Sequence, residues 1–139
     1  FDPEYIKQRP NGYYRVGESF EHIQGKETIA QWASKNVFPE LENRKIVYEH
    51  RIYIPSKEKY RIIDVAMIFP CGILLAFECQ ISPITVYDLE ERFYDYHEAG
   101  ADSYWFFGKD SYNRQISNFF LERTGCEPYF LEINSPSKE

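Results

Sequence analysis

Hydrophobic positions change their period several times along this 139-residue chain. From Phe20 to Asn36 the residues Phe20, Ile23, Ile29, Ala30, Trp32 and Ala33 recur at roughly helical spacing, with Ser19 placed to cap the first turn. Gly25 weakens that helix and leaves room for another backbone to approach. Three strand-like stretches follow, RKIVYEHRIYI, YRIIDVAMIF and GILLAFECQIS, separated by the polar loop PSKEK and a tight PCG turn. TVYDLEERFYDYHEAG returns to the helical period. There Thr85 and Asp88 suit a capping-box-like start, Leu89, Phe93 and Tyr96 a buried stripe, and Gly100 a C-cap. SYWFFG then predicts a strand, SYNRQISNFFLERTG a helix closed by Gly125, and PYFLEI a last strand. The predicted order is α-β-β-β-α-β followed by α-β, an α/β fold with a mixed central sheet flanked by helices. Residues 1–18, rich in turn formers and aromatics, are expected to be a lead-in arm. Residues 19–133 then form a single domain and 134–139 a loose polar tail.

The PCG turn fixes a registry. A three-residue loop with Gly72 in the left-handed position is a common hairpin connection. It sets Phe69 opposite Ile73, Ile68 opposite Leu74, Ala66 opposite Ala76 and Asp64 opposite Glu78. The two carboxylates are thereby expected on one face, with Cβ atoms on the order of 5 Å apart. Gln80 shares that face by alternation, and Cys79 points the other way into the core. Two opposed carboxylates in an apolar sheet repel, so either one keeps a proton or a cation sits between them. The plainer reading neutralises the pair with Arg61, Lys26 or Arg92. The sharper one places magnesium on Asp64, Glu78 and a strand carbonyl such as that of Cys79, since this ion favours a few carboxylates, waters and phosphate.

Neighbouring residues bear on that choice. His22 and Lys26, four apart, share the helix face that Ile29 and Ala33 continue inward, which aims both at the sheet. Lys26 could hold a scissile phosphate or a water, and His22 a metal or substrate. Arg92 lies on the packing face of the second helix, suited either to an ion pair with an acid or to a phosphate contact. Glu49 is a further acid on the adjacent strand, or simply a solvated strand residue.

Composition narrows the field. A hydrophobic fraction of 43% and an aromatic fraction of 18% mark a folded domain. The net charge of −6 provides no general field to attract a polyanion. A metal, or local basic groups such as Lys57, Lys59 and Arg61 or Lys7, Arg9 and Arg15, would have to overcome it. Cys71, Cys79 and Cys126 form no CxxC pair and fit reduced thiols in the cytoplasm. No apolar stretch approaches the ~20 residues of a membrane span, and none is expected. Starting at Phe1 instead of a methionine, the chain reads as part of a longer protein.

His22 and Lys26 (H-x-x-x-K), Arg61, Asp64 and Val65 (R-x-x-D-V), Glu78, Gln80, Ser82, Pro83 and Ile84 (E-x-Q-x-S-P-I), and Arg92 with Tyr96 (R-x-x-x-Y) come in one order. With Gly100 and Trp105 they resemble the competence protein CoiA family over roughly residues 20–108. That family looks like a branch of the PD-(D/E)XK nuclease superfamily, with the restriction-endonuclease-like αβββαβ core. By resemblance Asp64 and Glu78 are metal-binding acids, and Gln80 takes the place of the superfamily's usual lysine. Gln80 can orient water or phosphate but carries no charge, a lack that Lys26 partly offsets. Arg61, Arg92 and His22 become candidate phosphate or substrate contacts. CoiA-like proteins are similar to one another in an N-terminal cysteine-bearing element and further C-terminal sequence; no CxxC occurs here, and this chain resembles the nuclease core alone.

The resulting expectation is a deoxyribonuclease that uses Mg²⁺ or Mn²⁺ on single- or double-stranded DNA. It would form a homodimer if both strands of a duplex were cut together. The alternative is a domain that keeps the fold without catalysis and serves in nucleic-acid or protein binding. RNA cleavage by the same site is a third reading.

Overall fold

The computed structural model describes residues 18–133, so the expectations for 1–17 and for the tail at 134–139 lie outside it. Helix α1 spans Phe20–Asn36, and the Ser19 hydroxyl accepts the His22 N–H at 3.1 Å, as its capping role requires. Strands β1 (Lys45–Ile54) and β2 (Lys59–Ile68) form an antiparallel pair, joined by a short 3₁₀ turn at Pro55–Lys57. β3 (Leu74–Gln80) returns antiparallel to β2, and α2 (Val86–Glu98) crosses over to β4 (Ala101–Phe107), which runs parallel to β3. α3 (Arg114–Thr124) leads to β5 (Tyr129–Phe130), also parallel to its neighbour. The five strands lie in the order β1-β2-β3-β4-β5, a mixed sheet flanked by three helices.

Every predicted element is present, in the predicted order. The last strand is shorter than PYFLEI because β4 ends at Phe107; only the Leu131 N–H still reaches it, at 2.9 Å from the Phe107 carbonyl. The hairpin turn closes as its residues demand. Gly72 sits at φ 96°, its N–H bonds the Phe69 carbonyl at 2.9 Å, and Ala66 pairs with Ala76 and Val65 with Phe77. Gly25 does permit a close approach, by side chains and not by backbone. A Cβ there would lie 2.6 Å from the Cys79 sulfur and 2.9 Å from Leu131.

Two apolar clusters cover the two faces of the sheet. Ile29, Ala33, Val65, Met67, Phe77 and Cys79 form the one beneath α1. Ile63, Ala66, Leu89, Tyr96, Trp105 and Phe120 form the one beneath α2 and α3. Strict alternation would put Ile63 and Val65 on the same side. They pack on opposite sides, so the facing of β2 reverses at Asp64. The partner strand breaks in the same row: β1–β2 pairing is interrupted between Tyr48↔Val65 and His50↔Ile63, and the intervening Glu49 adopts φ 52°. A positive φ at a non-glycine residue inside a strand is strained, and such strain collects where side chains must be re-aimed.

Candidate active site

The interrupted row holds three acids. Glu49, Asp64 and Glu78 stand on adjacent strands at corresponding positions, and all three side chains are buried. Each of the central two replaces a missing ladder bond of the other's strand. Glu78 Oε2 accepts the Asp64 N–H at 2.8 Å, and Asp64 Oδ2 accepts the Cys79 N–H at 2.8 Å. The sequence expectation set both carboxylates on one face. The reversal at Asp64 divides their surroundings instead, so that Asp64 meets α1 through His22 and Glu78 meets α2 through Tyr96 and Arg92.

On the α2 side, the Tyr96 hydroxyl donates to Glu78 Oε1 at 2.5 Å and Arg92 Nη1 stands 3.7 Å from the same oxygen. These do not compensate for burial. Desolvation, and then the charge of Asp64, push the Glu78 carboxyl up to about 8. Tyr96 entered the sequence reading only as core and as part of a motif. Its hydroxyl is a site group.

On the α1 side a chain of alternating charges runs inward. Lys26 is fully buried, and its ammonium joins Glu49 and Glu18, the latter at 2.7 Å. Glu18 also joins His22 Nδ1, and His22 Nε2 donates to the Cys79 carbonyl at 3.0 Å while lying 3.5 Å from Asp64 Oδ2. Both ring nitrogens face acceptors, which makes His22 an imidazolium. Burial opposes that charge, but the bonds to Asp64 and Glu18 outweigh it and raise the ring to about 9. Glu18 is likewise resisted by burial and is held down at about 2 by His22 and Lys26.

Glu18 is the residue that sequence reading missed. It bonds both His22 and Lys26 from just before the Ser19 cap, outside the helix, so only its place one residue ahead of the cap could have signalled it. Three further expectations meet a different arrangement. Arg61 turns to α2, bonding Asp95 at 2.8 Å and Glu91 at 3.3 Å. Lys57 joins the same centre at 2.7 Å from Asp95, and Lys59 stands 3.9 Å away, so the basic end of the hairpin is largely neutralised. The Gln80 amide donates to the Ser82 carbonyl at 2.6 Å.

Among the described residues no group of three or more His, Cys, Asp or Glu side chains is arranged to hold a metal ion. The donor set that is present combines two carboxylates with the Cys79 carbonyl, and one cation, the His22 ring, already lies against two of these acceptors. Hard oxygen donors of this kind fit Mg²⁺ or Mn²⁺, which complete their shell with water and phosphate. Cys79 itself contributes only its backbone. Its thiol is buried against α1, and burial followed by the nearby acids pushes it up, away from the reactive thiolate.

No curated protein and no solved structure matches the chain. Residues 18–132 match the family described as competence protein CoiA, nuclease-like domain, a span that takes in every element of the sheet and each acid of the interrupted row. The chain belongs to that CoiA nuclease-like family.

Proposed function

We propose that this domain is a metal-dependent deoxyribonuclease that hydrolyses phosphodiester bonds, with Asp64 and Glu78 at its centre. One observation carries the reading: two buried carboxylates each accept a backbone N–H beside a strand carbonyl that the His22 ring bonds, and one of them resists ionisation. A divalent cation bound there would lower the pKa of a water and polarise the phosphate. Arg92, half-exposed beside Glu78, is placed to meet a phosphate oxygen. Gln80, half-buried at the end of β3, can turn its amide from Ser82 toward a water or phosphate. Lys26 and Glu18 fix the geometry from behind, and His22 would give up the Cys79 carbonyl and Asp64 to the incoming cation.

A second reading is a domain that has kept the fold for binding alone. What favours it is the pairing of Lys26, Arg61 and Lys57 with acids of the chain itself. The family and its nuclease-like core count toward the first reading. Free thiols at Cys71, Cys79 and Cys126 support a reducing compartment such as the cytoplasm. No helix of the described residues is long and apolar enough to cross a membrane.

Cleavage of plasmid and single-stranded DNA with Mg²⁺ or Mn²⁺ tests the proposal, comparing the native chain with Asp64→Ala and Glu78→Ala. Metal-dependent cutting that disappears in both variants is expected. Cutting that survives both substitutions would move the centre elsewhere, and absence of both cutting and Mn²⁺ binding would favour the binding domain.

A further inference from the structure

Past the acidic row, the β1–β2 hairpin continues for another two outward-facing pairs, Arg51↔Ile62 and Tyr53↔Tyr60. Beneath them Ile52, Ile54 and Ile63 are buried against the α2 cluster. Above them the surface is open. Tyr53 is 46% exposed, Tyr60 55% and Ile62 38%, a contiguous apolar patch on the edge of the sheet. The tyrosine rings are 5.1 Å apart and tilted by 60°, and the Arg51 guanidinium lies 4.3 Å over the Tyr60 ring.

Charge is segregated between the two faces of this hairpin. Lys57, Lys59 and Arg61 turn to α2 and gather around Asp95. Arg51 is on the other face and has no ion pair among the described residues. The nearest acid along its strand, Glu49, is joined to Lys26. An unpaired guanidinium among accessible rings, with the local acid neutralised, suits a ligand that is both flat and anionic. Two residues of strand rise about 7 Å, so the patch begins about that far from the Asp64 row and extends as far again.

We infer that Arg51, Tyr53, Tyr60 and Ile62 form a stacking platform for single-stranded DNA leading to the Asp64–Glu78 row. The role as a feed to that row rests on the nuclease reading; the platform itself rests on the exposed rings and the unpaired arginine. Rings of this kind take the faces of unpaired bases, whichever the base, while the arginine holds the phosphate backbone. A duplex keeps its base faces stacked and presents nothing to the tyrosines.

Fluorescence anisotropy of a labelled oligonucleotide with the full chain, in EDTA, reads binding apart from cutting. Tyr53→Ala and Tyr60→Ala should each weaken binding of single-stranded DNA about tenfold. Tyr60→Phe should retain it, and Arg51→Ala should weaken it and flatten its salt dependence. Ile62→Glu, at an exposed position, adds a repelling charge without removing a ring and should weaken it too. Native affinity in both alanine variants, no binding by the native chain, or tighter binding of duplex or of single-stranded RNA of the same sequence would overturn the inference. Ring-dependent binding without any metal-dependent cutting would leave the platform standing and sink the nuclease reading. Cutting accompanied by ring-independent binding would sink the platform alone.

Discussion

Asp95 and Glu78 are equally hidden, 2% and 1% exposed, yet their carboxyls move in opposite directions. Burial pushes both up. Around Asp95 the bonds from Lys57 and Arg61 outweigh it, and that carboxyl is held down. Around Glu78 the nearest charge is another acid, Asp64, and the Tyr96 hydroxyl, the Asp64 N–H and Arg92 do not compensate. The first centre is a staple that ties the hairpin to α2 with its charges matched. The second sets two carboxylates against each other deep in the sheet. Glu78 lies deep in the sheet and Asp95 near the surface under Lys57 and Lys59, so depth and the opposed acid together distinguish a site from a staple.

The largest effect should come from unbalancing the fully buried network beside the site. Lys26→Ala leaves Glu18 and Glu49 without their shared cation, and loss of one partner from a buried pair costs about 3–5 kcal/mol. Urea denaturation reads this, and a loss below about 1 kcal/mol would mean that water reaches Glu18 and Glu49 readily.

Intermediate in size is the pH response, on which the two centres should differ in sign. Glu78 and His22 have raised values, to about 8 and about 9. The stability each contributes is therefore complete below the ordinary 4.5 and 6.5 and is lost as pH climbs through 8 and 9. Glu18, held at about 2, contributes above its ordinary 4.5 and loses that share as pH falls toward 2. The melting temperature should peak near 4.5 and fall from there toward pH 9, more steeply above 6.5 where His22 adds its loss. Glu78→Gln should flatten the alkaline fall. An unchanged alkaline slope in that variant would erase the contrast with Asp95.

Smallest is the staple. Asp95→Asn should cost about 1 kcal/mol or less, because Lys57 and Lys59 reach solvent and are screened there. The cost should shrink as salt is added and should leave the alkaline limb unaltered. A loss as large as that of Lys26→Ala would mean the two networks are equally dry.

Local rules made much of this legible in the sequence. Ser19, Thr85 and Gly125 announce helix ends because capping needs only nearby groups. The three-residue PCG loop carries the hairpin registry as far as Val65↔Phe77, and with it the meeting of Asp64 and Glu78. Period and turn chemistry act over a few residues, so one sequence suffices to determine element order, the sheet's central pairing and the two opposed acids.

The rest was decided in three dimensions. The reversal of β2 at Asp64, with Glu49 at positive φ, turns Arg61 to Asp95 and gives Asp64 and Glu78 different helices as neighbours. Alternation predicts none of this, because it assumes an unbroken ladder. Nor does spacing say which acid a long basic side chain will choose. Lys26 takes Glu49 from a strand 23 residues away, and His22 takes a carbonyl 57 residues away. Such choices depend on which distant charges the packed core leaves within a few ångströms, and only the assembled fold sets those distances.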